Sequence, residues 1–240
     1  MKYLDLTLAT PAENLACDEA LLEACEGDAR EEVLRTWESP EYFVALGYAN
    51  RAGREVNLAA CRELGVPVLR RCSGGGAVLQ GPGCLNYAVV LRFGRPETAT
   101  IQSTNQFVME RHRAAIAEAL GQPVTVEGVT DLALAGKKFS GNAQRRRQTA
   151  LLFHGTLLLQ MDLELMAKVL AAPSREPDYR ARRNHAQFLT CLPRRDRAGW
   201  ITLLRAAWRA REPCPSPATQ AITQLVAAKY SRPDWNLKFL

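Results

Sequence analysis

The sequence predicts an α+β fold, with a mixed, largely antiparallel sheet flanked by helices. Strand-like segments follow one another without regular βαβ alternation, which argues against a doubly wound parallel sheet. Helical segments stand beside them with start and stop signals of their own. The composition is that of an ordinary globular chain: 240 residues, 47% hydrophobic and 23% charged, near the averages of about 45–50% and about 25%. A chain of this length buries roughly 70% of its unfolded surface and needs no disulfide or metal staple.

The elements follow in order. Residues 11–25 place Leu15, Leu22 and Cys25 at helical spacing behind Pro11, a residue suited to a first helical turn. VLRTWES and YFVALGY read as two short strands around Ser39-Pro40. Residues 54–65 read as a helix closed by Gly65, and 66–71 as a strand entering the glycine run 73–76. Residues 85–93 are a strand, and 102–120 a helix closed by Gly121 and Pro123. VTVEG, DLALAG and KKFSGNAQ are strand-like, and 150–161 is a long buried strand. Asp162 caps a helix over 163–172 that Pro173 and Pro177 break. Helices over 198–211 and 217–230 close the chain. The proline-rich stretch near 212–217 sets off too few residues for a domain, so 1–240 is expected to be one domain.

Several classes are excluded. No apolar run reaches the roughly 18 residues of a membrane span, and the N-terminus lacks the apolar core of a secretory signal. The seven cysteines (17, 25, 61, 72, 84, 191 and 214) are scattered with no C-x-x-C pair. They read as free thiols of a cytoplasmic protein without membrane contact. The formal charge of +6 and 7% aromatic content are modest for a nucleic-acid binder, and none is expected. The positive charge is clustered: Arg145, Arg146 and Arg147; Arg175, Arg180, Arg182 and Arg183; Arg194, Arg195 and Arg197. One such cluster is usually a solvated face, but three in about fifty residues suggest a surface for phosphate or an acidic protein.

Three stretches carry candidate chemistry. In Arg70-Arg71-Cys72-Ser73-Gly74-Gly75-Gly76-Ala77-Val78-Leu79, three consecutive glycines cost backbone entropy and add nothing to a core. They permit close approach of backbone N–H groups to an anion, with two arginines available to clamp it, or they make a flexible turn. No G-K-[ST] follows, so the run is not a P-loop. In Asp131 to Gln144, Gly136 marks a hairpin turn. Alternation sends Lys138 and Ser140 to one face, Lys137 and Phe139 to the other. Burying Phe139 would bring Lys137 in with it unless the strand bulges, so periodicity leaves open which lysine faces inward, and two exposed lysines on a hairpin are the more ordinary reading of the residues alone. His154-Gly155, inside an apolar strand, reads as a satisfied core histidine beside a point of close backbone approach.

Together, RRCSGGGAV with Asn86-Tyr87, DLALAGKKFSGNAQRRR, HGTLLL and the run Arg182 to Thr190 resemble the lipoate–protein ligase family. The resemblance implies the biotin/lipoate protein ligase-like, class II synthetase-like fold. It also implies activation of lipoate with ATP and Mg²⁺ to lipoyl-AMP, then transfer to a lysine of an acidic lipoyl acceptor domain. Lys138 matches the family's essential lysine, which would contact the acyl carbonyl and α-phosphate. Arg70, Arg71, Ser73, Gly74, Gly75, Gly76, Ala77, Val78, Leu79, Asn86, Ser140, Gly141, Ala143, His154 and Gly155 match positions expected to bind ATP or lipoyl-AMP. Asp131 would hold Mg²⁺ or the acceptor amine, and Arg145 to Arg147 would dock the acceptor.

Two departures from the family pattern bear on the reaction. The chain leaves no room for a C-terminal accessory domain, so a separate accessory chain supplies it or none is needed. Gln80-Gly81-Pro82-Gly83 is closer to the H-G-P-G of octanoyltransferases than to the ligase H-D-x-G. A transferase drawing on acyl carrier protein would need a cysteine thioester, yet no cysteine lies between Cys84 and Cys191. An acyl-adenylate needs no thiol, which favours ligation. Octanoyl or lipoyl transfer, and non-catalytic binding of lipoate or of a lipoyl domain, are the alternatives.

Overall fold

The computed structural model describes residues 1–27, 31–174, 176–193 and 196–240. Arg175, Arg194 and Arg195 of the basic clusters lie outside the described residues. The first half of the chain forms β1 (Lys2–Asp5), α1 (Pro11–Glu26), β2 (Val33–Trp37), β3 (Phe43–Leu46), α2 (Ala52–Glu55), α3 (Leu58–Glu63), β4 (Val68–Arg70), β5 (Val78–Gln80), β6 (Cys84–Arg92) and α4 (Ile101–Leu120). The second half forms β7 (Thr125–Glu127), β8 (Asp131–Leu134), β9 (Lys137–Ser140), β10 (Asn142–Arg146), β11 (Ala150–Leu158), α5 (Leu163–Val169), α6 (His185–Phe188), α7 (Arg197–Trp208), β12 (Glu212–Pro213), α8 (Thr219–Leu225) and α9 (Pro233–Asn236). No described helix is long and apolar enough to cross a membrane.

A six-stranded mixed sheet, ordered β10-β11-β6-β2-β1-β12, is the body of the molecule. It is antiparallel from β10 to β2 and parallel from β2 to β12. Alternation along β6 explains why both faces are covered. Leu85, Tyr87, Val89 and Leu91 meet Val108 and Ile116 of α4 and Trp200 and Leu204 of α7. Ala88 and Val90 meet Leu15, Leu21 and Leu22 of α1. Two three-stranded sheets flank this body, β4-β3-β5 and the antiparallel β7-β8-β9. The expected α+β architecture is therefore observed.

Local signals explain most boundaries. Thr10 and Glu13 form a capping box that starts α1 at Pro11, and Thr100 and Ser103 do the same for α4. Elsewhere tertiary contacts override the local pattern. The helix expected over 54–65 is two, because Asn57 turns out of helical geometry to cap α3. α5 stops at Val169 because Leu170 bridges Val56. The final helix passes into a π-helical turn over Val226–Tyr230. β2 and β3 do not pair around Ser39-Pro40: β2 joins the large sheet and β3 a small one. The stretch KKFSGNAQ, expected as one strand, splits at Gly141 into β9 and β10 of different sheets.

Candidate functional site

That split positions Lys138. Ala135 and Gly136, at φ 48° and 73°, form the tight β8–β9 turn. Leu134 pairs with Lys137 and Ala133 with Lys138, but Leu132 pairs with Ser140. Phe139 is therefore the extra residue of a bulge. The bulge frees Phe139 to be fully buried while Lys137 stays exposed, and Lys138 faces the interior. Its amine lies 2.8 Å from Asp131 Oδ1. Gly141 gives it room, since a Cβ there would meet Lys138 Cε and Nζ at 2.9 Å.

Asn142 fixes the hinge next to this amine. Its amide donates to Thr130 O at 2.6 Å and Ser140 Oγ at 3.2 Å, and its Oδ1 accepts from the Tyr87 hydroxyl. Tyr87 shares the face of the sheet on which Asn142 stands, because Asn142 pairs with Gly155 and Gly155 with Tyr87. It reaches Asn142 because Gly155 lies between them: a Cβ on Gly155 would meet Asn142 Oδ1 at 1.6 Å and Tyr87 Oη at 2.8 Å.

Opposite this hinge runs the glycine loop. Gly75, at φ 87°, has the left-handed backbone that glycine accepts without strain. The arginines ahead of it do not form the open anion clamp expected from sequence. Arg71 donates to Ala45 O at 3.0 Å, Gly74 O at 2.7 Å and Gly76 O at 2.8 Å, so it braces the loop from within. Its burial, with no carboxylate partner among the described residues, pushes its pKa down to about 10. Arg70 turns away altogether. It donates to Gly47 O, Tyr48 O, Asn50 O and Trp235 O, holding the 47–50 loop to the C-terminal segment.

His154 stands on β11, its Nε2 2.5 Å from Ser73 Oγ and its Nδ1 3.4 Å from Asp18 Oδ2. Asp18 Oδ1 accepts from Arg35 at 2.5 Å. His154 is thus partnered on both nitrogens, and it ties the glycine loop to α1.

These groups surround a cavity of 430 Å³. Among the expected site residues, Arg71, Gly75, Gly76, Ala77, Val78, Asn86, Asp131, Lys138, Gly141, Ala143, His154 and Gly155 line it. Arg70, Ser73, Gly74, Leu79 and Ser140 are not in the lining; Leu79 packs in a core cluster and Ser140 supports Asn142 from behind. Lining residues that sequence reading missed include Asp18, Trp37, Gln80, Asn142 and His185. The signal for Asp18 was an α1 that buries Asn14, Asp18 and Glu19 together, unlike a simple amphipathic helix. His185 is held below its usual pKa by burial, then by Arg180 and Lys138.

Three further expectations are altered by the geometry. Asp131 places Oδ1 on Lys138 and Oδ2 on the Tyr179 hydroxyl at 2.8 Å. No group of three or more His, Cys, Asp or Glu among the described residues could hold a metal ion. Asp131 is thus engaged on both of its oxygens. Of the docking run, Arg146 is held by the carbonyls of Thr98, Ala99 and Thr100, and Arg147 pairs with Glu23 and Glu26, both at 2.8 Å. Arg145 alone of the three makes no such bond; it is exposed, 5.9 Å above the Tyr48 ring. None of the seven cysteines lines the cavity. Burial pushes the thiols nearest the loop, Cys72 and Cys84, up to about 12.

Comparison with known proteins agrees with this geometry. Residues 10–193 match the family described as the lipoyl protein ligase A/B catalytic domain. A protein of Aeropyrum pernix named as a lipoate-protein ligase A is 39% identical over 163 residues, which span 66% of this chain and 58% of that relative. Octanoyltransferase LipM of Carboxydothermus hydrogenoformans is 31% identical, over 75% of this chain and 73% of that protein. The structure resembles a bi-partite lipoate protein ligase of Thermoplasma acidophilum, described with its E2 lipoyl domain (TM-score 0.81, 25% identity, 100% of this chain and 96% of that one). It also resembles a lipoate-protein ligase A bound with ATP (TM-score 0.79, 27% identity, all of both chains). A further likeness is Ta0514 of T. acidophilum with bound lipoic acid (TM-score 0.78, 26% identity, 99% and 100%). The chain belongs to the lipoyl protein ligase A/B catalytic-domain family.

Proposed function

We propose that this member of the family acts as an ATP-dependent lipoate–protein ligase. In the first step a carboxylate oxygen of lipoate attacks the α-phosphorus of ATP and pyrophosphate leaves. In the second, a lysine amine of a lipoyl acceptor domain attacks the acyl carbonyl of lipoyl-AMP and AMP leaves. The observation that carries this reading is the Lys138 amine inside a glycine-lined cavity whose lining has no thiol. An amine there offsets negative charge on the acyl oxygen and the α-phosphate in both steps.

The other residues divide by position. Gly75, Gly76 and Ala77 let backbone approach the anhydride, and Arg71 holds that loop while adding net positive charge. Asp131 holds Lys138 in place until a phosphate competes for it, and is a candidate to receive the acceptor amine. Val78, Asn86, His154 and Gly155 line the acyl end. Arg70, Ser73, Gly74, Leu79 and Ser140 support from behind. Magnesium arrives with the nucleotide as part of the substrate. The acceptor would be an acidic lipoyl domain steered by Arg145. The reaction belongs in the cytoplasm, where its nucleotide is made available.

Relatives named octanoyltransferase and the Gln80-Gly81-Pro82-Gly83 segment favour the second reading, acyl transfer through a cysteine. Pyrophosphate release by the purified chain, with intact-mass analysis of the protein, separates the two. Release that requires lipoate, with no acyl group on the protein, is expected. ATP-independent octanoyl transfer from acyl carrier protein through a cysteine-bound acyl group would overturn the ligase reading.

A further inference from the structure

Gly47 packs directly on the glycine loop. A Cβ there would meet Gly75 O at 1.9 Å and Gly75 C at 2.9 Å. The Gly75 carbonyl therefore faces Gly47. A trans peptide is planar, with its C=O and N–H on opposite sides, so the N–H of Gly76 points away from Gly47. Gly75 and Gly76 both border the cavity that holds Lys138. Tyr48 N adds a second tie to the loop by donating to Ser73 O at 2.8 Å. The aim of this peptide thus depends on where residues 47–50 sit.

Those residues form a turn of their own. Asn50 N donates to Gly47 O at 3.0 Å, and Asn50 Oδ1 accepts from Gly47 N at 2.7 Å. Arg70, fully buried, ties the turn to the rest of the molecule. Its Nη1 reaches Gly47 O, Tyr48 O and Asn50 O at 2.9, 3.0 and 2.9 Å, and its Nε donates to Trp235 O at 3.1 Å. The backbone of Arg70 is gripped by the same part of α9. Its N–H donates to Asn236 Oδ1 and its carbonyl accepts from Trp235 Nε1, both at 2.9 Å. α9 is anchored in turn: Asn236 Nδ2 donates to Tyr230 O at 2.9 Å, and Ala52 N donates to Phe239 O at 2.7 Å.

We propose that Trp235 and Asn236 are positioning residues for nucleotide binding. They set Arg70, Arg70 sets the 47–50 turn, and the turn aims the Gly76 N–H at an anion in the cavity. Gly47, Tyr48, Arg70, Trp235 and Asn236 are all outside the cavity lining, so they act only through the loop. The acyl end is lined by other strands and is left undisturbed. The proposal rests on the reading that the cavity takes ATP.

Two variants approach the same peptide from different sides. Trp235→Phe keeps a ring but removes the N–H that holds Arg70 O. Gly47→Ala presses on Gly75 O directly. In calorimetric titration of the full chain each should weaken ATP binding roughly three- to tenfold, the worth of about one hydrogen bond, with lipoate affinity held within about twofold. In pyrophosphate release the KM for ATP should rise by the same factor and that for lipoate should not move. Because both variants act through one peptide, the double variant should lose less than the product of the single losses. A role confined to stability would lower the melting temperature and leave the ATP affinity of the folded protein unchanged. That result, or equal weakening of ATP and lipoate, overturns the proposal and leaves the ligase reading standing. Failure of the parent chain to bind ATP overturns the ligase reading and this proposal with it.

Discussion

Gly155→Ala perturbs one atom at the centre of the site. The residue's backbone is ordinary strand, so the effect is steric. The new methyl would sit 1.6 Å from Asn142 Oδ1 and 2.8 Å from Tyr87 Oη. Tyr87 is fully buried within the sheet and cannot yield; Asn142 must swing away. Its bonds to Thr130 O and Ser140 Oγ are then lost, and the Tyr87 hydroxyl is left without its acceptor. A buried hydroxyl without a partner costs about 1–3 kcal/mol, and forcing a methyl into a packed interior costs about 1–3 kcal/mol more. Urea denaturation should therefore show a loss of about 2–6 kcal/mol. Since the hinge that folds Lys138 inward moves with Asn142, lipoyl-adenylate formation should slow by tenfold or more, roughly what a displacement near 1 Å can produce. The decisive comparison is the double variant with Asn142→Ala. Removing the amide removes most of the clash, so the double variant should be about 1–3 kcal/mol more stable than the sum of the single losses. Strict additivity, or a Gly155→Ala protein with the stability and activity of the parent, would refute the clamp.

His112 is buried between α4 and α7 and accepts a hydrogen bond from Trp208 Nε1 at 2.7 Å. Burial, with a smaller contribution from Arg111, lowers its pKa from 6.5 to about 3. Below pH 6.5 the unfolded chain binds the proton that the folded chain refuses, so this group's stabilising contribution is lost as pH falls toward 3, at up to about 1.4 kcal/mol per unit. Urea midpoints between pH 7 and pH 4.5 should fall less steeply in His112→Leu; parallel slopes would count against it. Arg71→Lys keeps the charge but loses the fork that holds Ala45, Gly74 and Gly76, and should destabilise by roughly 1.5–3 kcal/mol in thermal or urea unfolding. Arg147→Ala, which breaks only exposed pairs, should change stability by less than about 1 kcal/mol. It should leave acceptor modification rates unchanged, whereas Arg145→Glu should slow them at low salt; the reverse pattern would move the docking surface.

The sequence was most informative where backbone chemistry dictates structure. Thr10-Pro11, Gly121 and Asp162 mark helix ends because each satisfies orphaned backbone groups or adopts a conformation that neighbours cannot. The glycine run stood out because three successive glycines add nothing to a core, whereas Lys138 was singled out by the resemblance to the ligase family, since two exposed lysines on a hairpin would explain the same residues. Strands β1, β5 and β12 were not legible: they are four, three and two residues long, and pairing partners distant in sequence define them. The direction of Lys138 was undecidable by alternation because a bulge at Phe139 breaks it. The arginines were misread for another reason. Sequence reveals a guanidinium's charge but not which carbonyls need its donors, and the loops around 47–50 and 74–76 claim Arg70 and Arg71.

Lys138 carries the central claim, and Lys137 beside it is the internal control. Both amines have the same charge and adjacent positions, but only Lys138 lines the cavity. Rapid-quench measurement of lipoyl-adenylate formation in Lys138→Ala and Lys137→Ala should find a loss of roughly 10²–10³-fold in the first and near-parental rates in the second. Undiminished adenylate formation in Lys138→Ala, or equal losses in both, would contradict the account.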